Sequence, residues 1–344
     1  MRLKYASAVV RCHALLSELL TPEQIRRLAE TENFNTFIDQ LSETPYGNIS
    51  LEAYRDVSVA LEQLFYRKFI ERISRIIDIT PKKIASFLQT YYYMRFEILN
   101  LKRILRGKFG GIPSQQILES LIPIEPYHVK DFKELLEQET IEEIVKHLHG
   151  TPYSNLSESI QLYKETEELW PFELSLNNIY ASTILKLVET LSSPDRVLVK
   201  RIVELETDIE NLLIALKQRE MVQDTRRLQS LFPTTFKFNI EKMKEFIESK
   251  DIKQFIIELG EPYTEILSPI YEGDVSLVRS RLRQQIYRTM KRGRSMNDFG
   301  FNVIIAYLVF CEIEKDDLVG MSWSKAQGIS SENILKYLVL PQFI

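Results

Sequence analysis

Phe96-Glu97-Ile98-Leu99-Asn100-Leu101-Lys102-Arg103-Ile104-Leu105-Arg106-Gly107-Lys108 reads as a helix. It contains no proline, its one glycine stands next to its end, and Leu, Ile, Lys and Arg dominate it, which is strong helix composition. At about 100° per residue, Glu97, Asn100, Leu101, Ile104 and Lys108 fall along one stripe. The acid lies toward the positive end of the helix dipole and the lysine toward the negative end. The stripe then returns. Asp208, Asn211, Leu212, Ala215 and Arg219 repeat it with the same internal offsets, and so do Glu314, Asp317, Leu318, Met321 and Lys325. A single copy would be an ordinary amphipathic helix; three copies indicate a repeated design.

Working outward, other markers repeat in the same order. Phe37, Ile144 and Phe255 are separated by 107 and 111 residues, and Pro45, Pro152 and Pro262, each followed by tyrosine, by 107 and 110. Leu64-Phe65-Tyr66, Ile179-Tyr180 and Ile286-Tyr287 follow, each expected inside a long helix. Leu101, Leu212 and Leu318 close the units at separations of 111 and 106. The expected fold is all-α, in three homologous helical units: residues 1–115, 116–225 and 226–344. About a hundred residues is an ordinary domain size and is longer than the repeats of common solenoids. With no Gly/Ser-rich linker present, the chain is expected to pass between units through long helices near 105–115 and 217–230.

Local signals agree. A helix is expected over 1–20, then a restart at Thr21-Pro22-Glu23-Gln24, with Thr21 as N-cap and Gln24 completing a capping box. Short helices to about Glu32 and through Phe37 and Leu41 end at Thr44-Pro45-Tyr46-Gly47, a turn signature. A long helix is expected from Leu51 to Ile77. Ile79-Thr80-Pro81 starts the next, which runs through Tyr91-Tyr92-Tyr93 into the opening stretch and ends at Gly110-Gly111-Ile112-Pro113.

Composition narrows the class. The chain has 344 residues, 44% hydrophobic and 27% charged, with a net charge of −4, so nothing global draws it to nucleic acid or to an anionic surface. Only 11 glycines and 13 prolines leave few breakers, as a helical chain requires. Phe299 to Cys311 is uncharged but shorter than the ~20 residues of a membrane span, and Arg2, Lys4 and Arg11 interrupt any leader-like run. No transmembrane segment is expected. Cys12 and Cys311 form no disulfide framework and no CxxC site.

Candidate chemistry is thin. Gly107-Lys108-Phe109-Gly110-Gly111 lacks the GxxxxGK[ST] order and the preceding strand of a phosphate loop. His147 and His149 point about 200° apart on a helix and cannot share a metal. Asp316-Asp317 suggests the aspartate-rich magnesium motif of helical prenyl-transfer enzymes, but Gly320 stands where a further acid belongs. Arg279, Arg281, Arg283, Arg288, Lys291, Arg292 and Arg294 have no acid among them. They read either as a contact for an acidic partner or lipid headgroups, or as a solvated face balanced by neighbouring acids. The tyrosines at 91–93 read as packing. The repeated acid–amide–Leu–base stripe is either an internal packing motif or the lining of a shared cavity that receives another protein.

The opening stretch with Gly111-Ile112-Pro113, the ending Ile305-Ala306-Tyr307-Leu308 before Glu312 and Glu314, and Lys325-Ala326-Gln327-Gly328-Ile329 resemble the C subunit of archaeal (A-type) and bacterial V-type ATP synthases. That family is related to the d subunit of eukaryotic V-ATPases. The threefold repeat carries the likeness over nearly the whole chain. This sequence departs from the family where Asp316-Asp317-Leu318-Val319-Gly320 replaces a basic Arg-Asn-Leu type of segment. The resemblance implies a pseudo-threefold funnel without catalysis, cofactor, nucleic acid or small-molecule substrate. It implies a peripheral subunit on the cytoplasmic face, a socket between the membrane proteolipid rotor ring and the central-stalk subunits that passes torque between them. Two alternatives stay open on the residues alone: a general helical adaptor with no rotary role, and a helical enzyme using the acids of 312–317 with magnesium.

Overall fold

The computed structural model describes residues 5–47, 56–218, 229, 231–296 and 299–344. Arg219, the expected start of a helix at Leu51 and the expected boundary at 225/226 lie outside them. Every regular element among the described residues is a helix, as the sequence predicts. In chain order they are α1 (Ala6–Leu15), α2 (Pro22–Ala29), α3 (Phe34–Ser42), α4 (Val57–Ile79), α5 (Lys82–Gln89) and α6 (Arg95–Phe109). Then come α7 (Ser114–Ser120), α8 (Phe132–Leu136), α9 (Ile141–His147), α10 (Ile160–Thr166), α11 (Trp170–Thr190) and α12 (Ser193–Lys217). The last are α13 (Ile240–Glu248), α14 (Ile252–Leu259), α15 (Tyr263–Tyr271), α16 (Leu277–Met296), α17 (Phe301–Ala326) and α18 (Ser331–Tyr337).

The boundaries follow local chemistry. Thr21 and Gln24 exchange side-chain and backbone hydrogen bonds in a capping box at the start of α2, and Thr140 and Glu143 do the same for α9. The first helix is shorter than the expected 1–20: after α1 the chain tightens into a 3-10 turn at Leu16–Glu18 and becomes extended at Leu19. Thr21 is extended too, as a residue before proline prefers to be. Between α5 and α6 the tyrosine run adopts one π turn, Thr90–Met94, which buries Tyr91 and Tyr92. Glycine closes α6 and α17 in the same way. Gly111 and Gly328 have φ of 66° and 71°, and the next N–H, of Ile112 or Ile329, returns to the carbonyl of Gly107 or Ser324. This is the Schellman closure, which favours a left-handed glycine. Gly107 serves a different purpose: a Cβ there would meet Ile117 Cγ1 at 2.5 Å, so its absence lets α7 lie against α6.

The chain forms two compact units. One combines Met1–Ala85 with Asp251–Ile344; the other is Ser86–Lys250. In the first, α17 is buried over nearly its whole circumference, as befits a central helix, with α1, α3, α4 and α16 packed around it. In the second, α6 and α11 share a cluster that includes Leu101, Ile104, Ile144, Tyr153, Phe172 and Leu176. A separate cluster gathers Trp170 and Leu174 with Ala215, Phe232, Met243 and Ile247. Helix α11 therefore contributes one face to each. Arg95 fixes α6 to its neighbours by donating to Tyr180 Oη at 3.0 Å and pairing with Glu206 at 2.9 Å. The third marker lies inside long helices as expected: Phe65 in α4, Tyr180 in α11 and Tyr287 in α16. In the last unit the fully buried counterpart of Phe37 and Ile144 is Ile256; Phe255, to which the spacing points, is only half-buried.

Candidate functional site

The repeated stripe is a set of buried ties between a helix and the loops around it. In the first copy Glu97 is fully buried. Its Oε1 accepts from the backbone N–H groups of Tyr127, His128 and Val129 at 2.7, 2.7 and 3.0 Å. Its Oε2 accepts from Tyr153 Oη at 2.6 Å and faces His128 Nδ1 at 3.0 Å. Burial alone would raise its pKa, but His128, Tyr153 and the backbone N–H groups hold it below the ordinary glutamate value. One turn on, Asn100 accepts from the N–H of Ile122 at 2.7 Å and donates to its carbonyl at 3.0 Å. Lys108 Nζ reaches the carbonyl of Leu136 at 2.6 Å and Ser114 Oγ at 3.1 Å. Leu101 and Ile104 are buried between these polar anchors.

The second copy repeats this with a shorter acid. Asp208 accepts from the N–H groups of Phe236, Lys237 and Phe238 at 3.0, 2.8 and 3.3 Å, and Asn211 donates to the carbonyl of Thr234 at 2.9 Å. Leu212 and Ala215 are buried beside them.

In the third copy the acid reaches back along the chain instead of forward. Glu314 takes its donors from far earlier in the sequence: its carboxylate accepts from the N–H of Leu20, from Tyr46 Oη at 2.6 Å and from Arg72 at 2.7 Å. Lys325 donates to the carbonyl of Thr31 and to Ser331 Oγ, the latter at 3.1 Å. Glu97 and Glu314, Lys108 and Lys325, and Ser114 and Ser331 are each 217 residues apart. The tyrosines match as well. Thr44 and Thr151 each donate to a carbonyl three residues back at 2.6 Å and accept from the tyrosine N–H two residues on. Both Thr-Pro-Tyr turns thus aim a tyrosine hydroxyl at a motif acid.

Asp317 occupies the place of Asn100 and Asn211 and replaces the accept-and-donate pairing with two acceptances, from the N–H groups of Val339 and Leu340, both at 2.8 Å. Burial pushes this carboxyl up to about 7, against the pull of those two N–H groups; Asp316 raises it further and Arg283 lowers it. The folded value exceeds the ordinary aspartate value of about 3.9, so the fold holds a proton that the unfolded chain releases. The stability this gives is full below about pH 4 and is lost as pH rises through about 7. The urea midpoint of the parent should therefore fall between pH 5 and pH 8, by up to about 1.4 kcal/mol per pH unit in stability, and Asp317→Asn should flatten that slope. An identical slope in the variant would assign the pH dependence to other groups.

The basic run lies on α16 and divides into two parts. Arg283 pairs with Asp316 at 2.8 Å and Glu312 at 3.4 Å, and Arg288 with Glu265 at 2.5 Å. Arg288 is also covered by the ring of Phe343, whose centroid is 5.6 Å from its guanidinium carbon. Arg281 donates to Gln284, and Arg279 is exposed. Lys291 and Arg292 are exposed and Arg294 is half-buried, all at the far end of the helix. Asp316 answers Arg283 and Lys315, and among the described residues no group of three His, Cys, Asp or Glu is arranged to hold a metal ion. His147 is exposed, its Nδ1 3.3 Å from the carbonyl of Glu143.

The sequence alone points to every described member of the stripe but not to its partners. Arg72 and His128 carry no signal of their own, since neither recurs. Tyr46 and Tyr153 do carry one, in the repeated Pro-Tyr dipeptide, but that dipeptide marks a turn and does not by itself announce a hydrogen-bond donor.

A helix whose acid and neighbouring Asn or Asp hold surrounding backbone through buried hydrogen bonds, recurring along one chain, defines an all-α repeat protein locked by buried polar contacts. The chain belongs to the ATP synthase (C/AC39) subunit family, whose model matches residues 8–337. It is similar to the C subunit of the A-type ATP synthase of Methanocaldococcus jannaschii, 25% identical over 97% of this chain and 86% of that one. The corresponding subunits of Pyrococcus abyssi and Methanosarcina mazei are each 27% identical, over 96% and 98% of this chain and 89% and 93% of theirs. The family expected from the sequence is borne out. No helix among the described residues is long and apolar enough to cross a membrane.

Proposed function

We propose that this chain is a non-catalytic rotor subunit of a V/A-type proton-translocating ATPase, a socket that joins the central stalk to the membrane proteolipid ring and transmits torque between them. In this reading it is a peripheral protein on the cytoplasmic face, and its partners are the ring and the central-stalk subunits of the same complex. The three sequence units, 1–115, 116–225 and 226–344, form a funnel around a pseudo-threefold axis. Membership of the family and the names of the relatives support the assignment. The observation that carries it is the recurrence of one buried tie along the chain. A part that transmits torque must resist shear between helix and loop, and charge-assisted hydrogen bonds in a dry interior provide directional stiffness that apolar packing does not.

The test is recovery of partners from detergent-solubilised membranes with the tagged full-length chain. Recovery of the proteolipid ring and the central-stalk subunits is the expected result; recovery of neither overturns the reading. Lys291→Glu with Arg292→Glu asks whether the basic end of α16 contributes. These two positions suit the question because Arg283 and Arg288 are paired within the unit, and changing them would disturb the fold as well as any contact.

A further inference from the structure

We infer that the C-terminal segment, residues 338–344, is a pH-sensitive strap, clipped to α17 by the Asp317 carboxyl, tight in acid and released progressively toward neutral pH. The inference does not depend on the function proposed above. Helix α18 stops at Tyr337, and Leu338 is extended. Up to that point the chain is anchored independently: Ser280 Oγ donates to the Tyr337 carbonyl, Lys336 and Tyr337 both donate to Asp274, and Lys325 donates to Ser331. Beyond it, the N–H groups of Val339 and Leu340 meet the two oxygens of Asp317, both at 2.8 Å. Among the described residues no other hydrogen bond ties 338–344 to α2, α16 or α17; Gln342 Nε2 only returns to the carbonyl of Leu335 in α18. Apolar contacts complete the strap. Val339 and Leu340 are buried, the turn Leu340–Phe343 packs on α2, and the ring of Phe343 lies 4.5 Å from that of Tyr287.

The clip is titratable where its counterparts are not. Asn100 and Asn211 are neutral at every pH, whereas Asp317 is a carboxyl, 3% exposed, held by two N–H groups. The charges that face it are Asp316 on its own helix and Arg283 on α16, and Arg283 is already paired with Asp316 and Glu312. Residues 338–344 carry no charged side chain, and the charged side chains of α1, α2 and α3 are exposed. On α4 the buried charges Glu62 and Arg72 are bonded to Trp323 and Glu314, and on α18 Lys336 is paired with Asp274. Ionising a buried carboxyl that no cation pairs is costly, which carries the titration of Asp317 up to about 7. Once the strap lifts and water reaches the group, it reverts toward the ordinary value of about 3.9. Opening therefore releases a proton, so the opening equilibrium climbs with pH from about 4 to about 7 and is level above that. A chain end of this length opens at lower cost than the unit unfolds.

The experiment is amide hydrogen exchange of the full-length chain from pH 5 to pH 8, with rates divided by the intrinsic rate at each pH. The opening constant read at Val339 and Leu340 should rise roughly fiftyfold between pH 5 and pH 7 and then level off. Both amides should exchange at least about tenfold faster than those of Ile313 to Leu318 in α17 at every pH, as a local opening requires. Asp317→Asn should abolish the rise. Phe343→Ala should raise the opening several-fold at all pH values and leave the slope unchanged, because it removes a contact of the strap and not the group that titrates. A pH-independent opening in the parent, or the same slope in Asp317→Asn, overturns the proposal. So do strap amides that exchange no faster than those of α17, which would mean that the segment leaves only when the whole unit unfolds, or a Phe343→Ala variant whose strap is as protected as the parent's.

Discussion

Glu314→Gln should destabilise the unit built from Met1–Ala85 and Asp251–Ile344 by about 3–5 kcal/mol, the usual cost of removing one member of a buried ion pair. The glutamine can still accept one hydrogen bond, but it cannot match the charge of Arg72, which is itself buried and takes its ion pair from Glu314. The loss should be local. Amide exchange should accelerate across α1 to α3 and the Thr44-Pro45-Tyr46 turn, which Glu314 holds through Leu20 and Tyr46, while residues 95–217 keep their protection. Adding Arg72→Met should recover part of the loss, because it removes the charge that Glu314→Gln leaves stranded. A double variant no better than Glu314→Gln would mean that the hydrogen bonds to Leu20 and Tyr46, and not the ion pair, dominate this tie. Tyr46→Phe removes a hydroxyl that donates to Glu314 and accepts from Arg72, and should cost about 1.5–3 kcal/mol, the range for hydrogen bonds to charged groups.

Glu97→Ala should produce the second large effect, in the other unit. Three backbone N–H groups and the Tyr153 hydroxyl converge on this carboxylate, and an unsatisfied buried donor costs about 1–3 kcal/mol. Several such donors together would melt the segment from Ile122 to Leu156 without requiring α1 or α17 to move. Hydrogen exchange would show protection lost in that segment first. The pH dependence also has a definite sign. The folded pKa of Glu97 is held below its ordinary value, so its stabilisation is present above the ordinary glutamate range of about 4.3 and fades as pH falls through the folded value. This is opposite to Asp317, where burial prevails and stability falls as pH rises. Two motif carboxylates in one family of contacts thus titrate in opposite directions. The difference lies in donor count: Glu97 meets three N–H groups, a tyrosine hydroxyl and a histidine ring, whereas Asp317 receives two N–H groups.

The stripe at 97–108 is legible in the sequence because helical periodicity is local: side chains three and four residues apart share a face whatever the rest of the chain does. Its recurrence at 208–219 and 314–325, the capping box at Thr21 and the glycine closure at Gly110-Gly111 are equally local, and together they set an all-α repeat. What each stripe holds is not local. Glu97 and Asp208 take N–H groups some thirty residues ahead, which would suggest that every copy anchors the segment that follows it. Glu314 takes Leu20 and Tyr46, nearly three hundred residues behind. A carboxylate accepts any donor that packing brings within about 3 Å, whatever the separation along the chain. The stripe therefore states what chemistry α17 needs, but only the packing of α1 to α4 around that helix decided where the donors come from. The basic run shows the same division: composition determined the charge of α16, and the tertiary neighbours Glu265, Glu312 and Asp316 decided which of those charges remain at the surface.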